Sequence, residues 1–466
     1  MSASAIHIPS DVRAAHRGLS PAAERFLEHL LENPDAARQL EGMDEGLPKW
    51  WFTYDFTPLT WPTFVDAAKL AELQGAAEGV CALIKAIPAV IFDGDLDAMA
   101  EFYGYEDPGY LQMLFELPNP LDTTFARCDF IDTADGLKCC EVNLAANIGG
   151  WQHRFWEETY MTHPVVTAFA AREGVVPRWR DPLRIACEHL VEDAVASGVA
   201  DAGELNVVVS SGPYTQWAAE HGRALYAELL RETGSGLTGD LWLVESPEEE
   251  LTFRDHAVFH GERRVHAFIE YGNVAPTAVM RAQVAASLRL YNGGLTPFLV
   301  NKRNLALLSE NEELEYWTDE DRALIRAHVP WTRLVSARTT TWRGEAVVFP
   351  DILFERREDL VLKLGHGVGG ADVCVGRCTE PAAWEEAVRV AVEQGGWIVQ
   401  EYVESRPYLY PPAPGATPVP QSVIWGIFVA GWRYAGSWLR MMPAGVGDGI
   451  VNSGRGAAEG AVIELA

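Results

Sequence analysis

Asp129 and Glu141 stand in two short strand-like runs, FARCDFIDT (125–133) and LKCCEVN (137–143), joined by Ala134-Asp135-Gly136. A three-residue turn with glycine at the position that favours positive φ folds such runs into a hairpin. The register that follows sets Asp129 opposite Glu141 and Arg127 opposite Asn143. Carboxylates directly across a strand pair lie on one face about 5 Å apart, where like charges repel. A divalent cation turns that repulsion into binding. Two carboxylates with an amide oxygen form the hard oxygen set that Mg²⁺ accepts when phosphates complete its shell. The same residues admit a plainer reading, in which Arg127 neutralises the pair at a polar sheet edge. A one-residue slip would send the two carboxylates to opposite faces.

A second group lies in Val361–Val373, where an apolar strand delivers Lys363 and a loop with Gly365, Gly367, Gly369 and Gly370 follows at once. Glycines let backbone N–H groups turn toward a phosphate, and the lysine adds a point charge. The order differs from the P-loop, because the lysine precedes the glycines and no Gly-Lys-Ser/Thr follows. Gly396–Val403 reads as a strand ending in Gln400, Glu401 and Tyr402, whose polar end could meet a purine edge or could simply be buried. Asn301-Lys302 opens a helical apolar stretch. Arg440 ends a strand before the turn Gly445–Gly449, where it could clamp an anionic intermediate or form an ordinary surface ion pair.

These groups need elements to hold them, and the remaining pattern supplies candidates. Residues 1–120 read as mostly helical, with Ser20-Pro21 opening a helix whose Phe26, Leu27, Leu30 and Leu31 recur at helical spacing. The Trp-rich stretch Trp50–Trp61 interrupts the helices and reads as packed core. From about 180 to 290 strands alternate with helices: strands at Leu205–Val209, Leu241–Val244 and Val265–Glu270, and a helix at Gln216–Arg231. That rhythm is Rossmann-like, but no G-x-G-x-x-G accompanies it. Beyond Leu295, strands at Leu360–Leu364, Trp397–Tyr402, Val423–Val429 and Arg433–Arg440 mix with helices at Asp319–His328 and Ala382–Val392. Pro407–Pro420, with six prolines, reads as an exposed loop.

The 466 residues include 37 basic and 66 acidic side chains, a net charge of −29, and 48% are hydrophobic. The balance is that of a globular chain and argues against binding nucleic acid through its phosphates. The apolar run Val423–Trp432 is too short to span a bilayer, and the N-terminus makes a poor signal peptide. Seven scattered cysteines form no disulfide framework or paired zinc motif, which predicts a reduced, cytoplasmic setting.

Together and in this order, the motifs resemble the ATP-grasp superfamily, specifically its circularly permuted branch of glutathionylspermidine synthase-like carboxylate–amine ligases. That branch carries Arg-x-Asp and then Glu-x-Asn, with the Glu twelve positions after the Asp, matched by Arg127-Cys128-Asp129 and Glu141-Val142-Asn143. Asn301-Lys302 matches its Asn-Lys, Lys363 with Gly365–Gly370 its strand lysine and Gly-rich loop, and Gln400–Tyr402 its Gln-Glu-Tyr strand. Leu364 departs from the proline that often follows the strand lysine, and no N-terminal amidase domain is legible.

The resemblance implies an α+β chain with a circularly permuted ATP-grasp fold, a Rossmann-like pre-grasp layer and a helical N-terminal region. The expected divisions are 1–120 for the helical substrate region, 121–165 for the metal-binding hairpin, 166–290 for the pre-grasp layer and 291–466 for the nucleotide-binding lobes. It further implies amide-bond formation through an acyl phosphate, with ATP and Mg²⁺ as cofactors and ADP and phosphate released. Asp129, Glu141 and Asn143 would hold Mg²⁺; Lys302, Lys363, Gly365, Gly367, Gly369 and Gly370 would take the phosphates. Gln400, Glu401 and Tyr402 would meet the adenine, and Arg127 and Arg440 would stabilise the transferring phosphoryl group or the oxyanion. The expected partners are a small-molecule carboxylate and an amine of the amino-acid, peptide or polyamine class, with no nucleic acid or membrane and a homo-oligomer left open. A nucleotide-binding regulatory protein and a small-molecule phosphotransferase are the alternatives.

Overall fold

Ser20 and Pro21 begin helix Pro21–Glu32 of the N-terminal region as their types predict. Ser20 Oγ accepts from the Ala23 amide at 2.9 Å and Pro21 fills the first helical position of Pro21–Glu32, which buries Phe26, Leu27 and Leu30. The computed structural model describes residues 8–42, 57–117, 120–122, 124–200, 203–212, 216–272, 275–367 and 372–466. Trp50 and Trp51 lie outside these residues, while Trp61 is buried. Helices Ser10–Leu19, Pro34–Gln39, Leu96–Tyr103 and Pro108–Phe115 extend the region, and Ala67–Val90 is its long core helix. By length and composition Ala67–Val90 could cross a membrane; it buries Leu73, Val80, Leu83, Ile84 and Ile87 within the same core as the large sheet.

That sheet has nine described strands. Its main path runs Thr57–Pro58, Ala458–Leu465, Arg433–Pro443, Val419–Ala430, Phe125–Thr133, Gly136–Asn143. Thr63–Val65 and Pro177–Arg178 also pair with Ala458–Leu465, so the C-terminal strand is gripped by segments from the first 180 residues. Tyr408–Tyr410 pairs with Val419–Ala430 and all three of its residues are buried, which corrects the expectation of an exposed loop across Pro407–Pro420. The prolines there flank a short edge strand, the position in a sheet where proline is tolerated.

Residues 182–291 carry the strand and helix alternation expected from the sequence. Four parallel strands lie in the order Arg289–Tyr291, Ala267–Glu270, Val207–Ser210, Leu241–Val244; helix Pro182–Ala196 precedes them, and helices Gln216–Glu232 and Thr277–Val284 connect them in sequence. The expected strand Val265–Glu270 is in fact two. Arg263–Val265 closes an antiparallel meander with Leu251–Arg254 and Ala257–His260, and only Ala267–Glu270 joins the parallel sheet.

A smaller antiparallel sheet, Thr332–Leu334, Trp397–Glu401, Leu360–Leu364, Val373–Val375, carries helix Pro381–Gln394 on one face. Strand periodicity divides its residues. Leu360, Leu362 and Val399 pack with Trp384 and Val388 of that helix, whereas Lys363 and Gln400 lie on the opposite face and reach the hairpin of the large sheet.

Candidate functional site

The hairpin pairs as the spacing predicts at its functional end: Arg127 faces Asn143 and Asp129 faces Glu141. The turn does not. Thr133 pairs with Gly136, so the connection is the two residues Ala134-Asp135, and a β-bulge between Asp129 and Phe130 inserts Cys140 and restores the expected pairing beyond it. The bulge has a chemical consequence, because the Cys140 carbonyl accepts a hydrogen bond from Lys363 Nζ at 2.8 Å. Lys363 also donates to Gln400 Oε1 at 2.6 Å, and Gln400 Nε2 donates to Thr332 Oγ1 at 3.1 Å. Burial pushes the Lys363 ammonium below its usual range, with neighbouring Lys302 adding to the effect and Glu141 opposing it.

Lys302 arrives from the start of helix Arg303–Glu310. Its Nζ lies 2.9 Å from Glu141 Oε1 and also donates to the Gly367 carbonyl. The two lysines therefore approach one hairpin strand from different elements.

On the same hairpin, Asp129 is buried and held by two guanidinium groups. Arg127 Nε and Nη2 donate to its two oxygens at 2.8 and 3.1 Å, and Arg440 Nη2 lies 2.6 Å from Oδ2. Burial alone would raise the Asp129 carboxyl, but Arg127 and Arg440 outweigh it and hold the group below its usual range. Both guanidiniums also lie over the Trp438 indole, at 5.6 and 5.4 Å from its ring. Gly426 makes room for that ring, since a Cβ there would come within 2.0 Å of Trp438 Nε1 and 3.1 Å of Arg127 Cδ. Among the described residues neither Arg440 Nε nor Trp438 Nε1 has an acceptor, although both are buried. Two unanswered donors beside two arginines suit an anionic oxygen.

Several of the expected residues have protein partners in the structure. Gly365 does not turn its amide outward: its N–H donates to the Gly396 carbonyl at 2.9 Å and its carbonyl accepts from the Lys302 N–H at 2.7 Å. A Cβ at Gly365 would approach Gly396 O at 2.8 Å and Asn301 Oδ1 at 2.9 Å, so this glycine permits close packing beneath Lys302. Gly367 donates its amide to Leu364 O, and Gly369 and Gly370 lie outside the described residues. Gln400 is buried and bonded to Lys363, which makes it a partner of the lysine where an adenine contact was expected. Glu401 accepts from Arg343 at 2.8 Å, and the Arg377 guanidinium lies 3.8 Å from the Tyr402 ring centre. Burial pushes the Cys140 thiol up to about 12, which leaves it unsuited to act as a nucleophile.

Thr332, Gly426, Trp438 and the Cys140 carbonyl are the parts sequence reasoning missed. The one local signal is the alternation Gly436-Trp438-Arg440, which sets the indole and the guanidinium on one face of a strand.

The large sheet and the small antiparallel sheet of this mixed α+β fold meet at Lys363, which belongs to the small sheet and hydrogen-bonds the hairpin of the large one. Among solved structures the chain is similar to a glutathione synthetase-like effector from Globodera pallida in its apo form, with a TM-score of 0.56 over 94% of this chain and 97% of that one. Sequence identity is 12%, so the likeness is one of fold. No protein-family model and no curated protein matches the chain.

Proposed function

We propose that the protein is an ATP-dependent carboxylate–amine ligase of the permuted ATP-grasp type, forming an amide bond through an acyl phosphate. The observation that carries this reading is the convergence of Lys302 and Lys363 on the hairpin strand that faces Asp129 and its two arginines. Apart from Glu141, the lysines' hydrogen-bond partners are neutral oxygens, so their charge is available to a polyphosphate.

The donor set suits Mg²⁺ chemically: Asp129, Glu141 and Asn143 offer only oxygen, and Glu141 is partly open to solvent. Among the described residues there is no cluster of three His, Cys, Asp or Glu side chains, so phosphate oxygens would have to complete the shell. Bound there, Mg²⁺ would neutralise phosphate charge. Asp129 would then exchange part of its guanidinium contact for the cation, which leaves Arg127 and Arg440 to meet the transferring phosphoryl group or the oxyanion.

Lys302 and Lys363 hold and orient the phosphates, and Gln400 fixes Lys363 through its amide oxygen. The substrate carboxylate attacks the γ-phosphorus, ADP leaves, and an amine then displaces phosphate from the acyl carbon. No protein nucleophile takes part. A net charge of −29 accords with small-molecule partners and favours a cationic amine over a polyanion.

Hydroxylamine tests the reading, because it captures acyl phosphates as hydroxamates. A panel of carboxylates with Mg²⁺-ATP and hydroxylamine should give a hydroxamate for the true substrate. A phosphorylated product stable to hydroxylamine would instead identify a phosphotransferase.

A further inference from the structure

The parallel sheet has a topological switch point between Val207–Ser210 and Ala267–Glu270, since the chain leaves the first strand toward Leu241–Val244 and returns on the other side. Crevices at the carboxyl ends of strands at such a point are where open α/β sheets bind ligands. Ser210 and Glu270 end those two strands as a register pair.

Asp129, Asp132, Asp193 and Glu464 each pair with Arg or Lys, whereas Glu157 and Glu270 have no such ion pair among the described residues. Glu157 is sealed in the core, 2% exposed, and only Glu270 lies at a strand end without being fully buried. Its Oε2 accepts only a long hydrogen bond from the Ala275 amide at 3.3 Å, and the Gly294 backbone adds a second neutral contact. Its ionisable neighbours are Tyr105 and Tyr110 from the N-terminal region, and Tyr271, next in sequence, is 39% exposed. Desolvation raises the carboxyl to about 7.

This end of the parallel sheet is tied to the hairpin through the loop that carries Gly294. Asn292, two residues before Gly294, donates to the carbonyls of Phe125 at 3.3 Å and Leu144 at 3.1 Å, clamping the hairpin at the end that carries Arg127 and Asn143.

We infer that Glu270, with Tyr105 and Tyr110 as its ionisable neighbours and the exposed Tyr271 next in the chain, is a recognition site for a primary ammonium group at the switch point of the parallel sheet. A carboxylate that lacks a cation and has only phenols as its ionisable neighbours is the complement of an alkylammonium ion, which would supply the missing charge. The inference rests on the ligase reading in so far as the ammonium belongs to the amine substrate. The site itself can be tested without turnover.

Binding of n-butylammonium and 1,4-diaminobutane, with n-butanol as the neutral control, is measured by ligand-observed NMR at pH 8. Wild type, Glu270→Gln and Tyr271→Ala are compared, and ATP affinity is measured on each. The ammonium probes should bind wild type at least tenfold more tightly than n-butanol does. Glu270→Gln should erase that preference, Tyr271→Ala should weaken it several-fold, and both should keep wild-type ATP affinity and a cooperative melt. Equal binding of the probes to wild type and Glu270→Gln, or no preference for ammonium in wild type, overturns the inference. Ammonium binding lost in Glu270→Gln, in a wild type that binds no ATP, would keep the site and remove the ligase reading. ATP binding with no ammonium preference would do the reverse.

Discussion

Lys363 Nζ donates to the carbonyl of Cys140 at 2.8 Å, so the strand lysine of the small sheet is anchored on the extra residue of a β-bulge in the large one. The bulge leaves that carbonyl outside regular ladder pairing, and the lysine answers it. One interaction thus sets the spacing between the sheets and places a cation beside Glu141. Lys363→Ala should lower ATP affinity at least a hundredfold, whereas Lys363→Arg should recover only part of it, because a planar fork does not match the single carbonyl. Calorimetric titration with ATP checks both; wild-type affinity in the alanine variant would remove Lys363 from the site.

Asp129→Asn keeps the shape of the side chain and removes the charge between Arg127 and Arg440. Two buried guanidiniums would then lose their shared counter-ion, a change worth about 3 kcal/mol of stability. Nucleotide affinity should stay within a few-fold of wild type while turnover falls at least a thousandfold. Urea unfolding and ADP release measure the two effects separately.

Gly426→Ala places a methyl group where Trp438 now lies. The ring must move, and both arginines packed over it move with it. Overpacking of this kind costs about 1–3 kcal/mol. The variant should lose turnover by tenfold or more with nearly unchanged ATP affinity, since the lysines are held by other elements. A loss of ATP affinity equal to the loss of turnover would contradict this division of labour.

Glu270 gives the stability a pH signature. Its carboxyl ionises near 7 in the folded chain against 4.5 as the ordinary value, so the folded state binds that proton more tightly than the unfolded state. Its contribution is favourable below about pH 4.5 and is lost as pH rises toward 7. Glu270→Gln removes the ionisation and should exceed wild type in stability above pH 7 by about 1–3 kcal/mol, with the two converging in acid. Urea midpoints at pH 4.5 and 8 test the sign.

Much of the candidate site's geometry is legible in the sequence because strand pairing and alternation are local. Arg127-Cys128-Asp129 and Glu141-Val142-Asn143 declare their pairing through strand alternation alone, and Lys363 declares its face by sitting between apolar Leu362 and Leu364. The register was read correctly through a turn that the chain does not form: a shorter connection and a bulge compensate each other, and composition cannot distinguish the two routes. Gly365 shows the converse limit. A glycine reads as freedom for a ligand-binding loop, but here it answers the approach of Gly396 and Asn301, which are distant in sequence. Tyr408–Tyr410 was hidden by surrounding prolines because edge-strand pairing depends on a partner that local pattern does not reveal.

The most direct test is ADP and phosphate release with Mg²⁺-ATP across a grid of amino acids, short peptides and polyamines, each reaction followed by mass spectrometry. The account predicts release that requires both a carboxylate and an amine, with a product equal to their sum minus water. ADP release with either substrate alone giving a stable phosphorylated product, or ATP bound and never turned over across the grid, would contradict it.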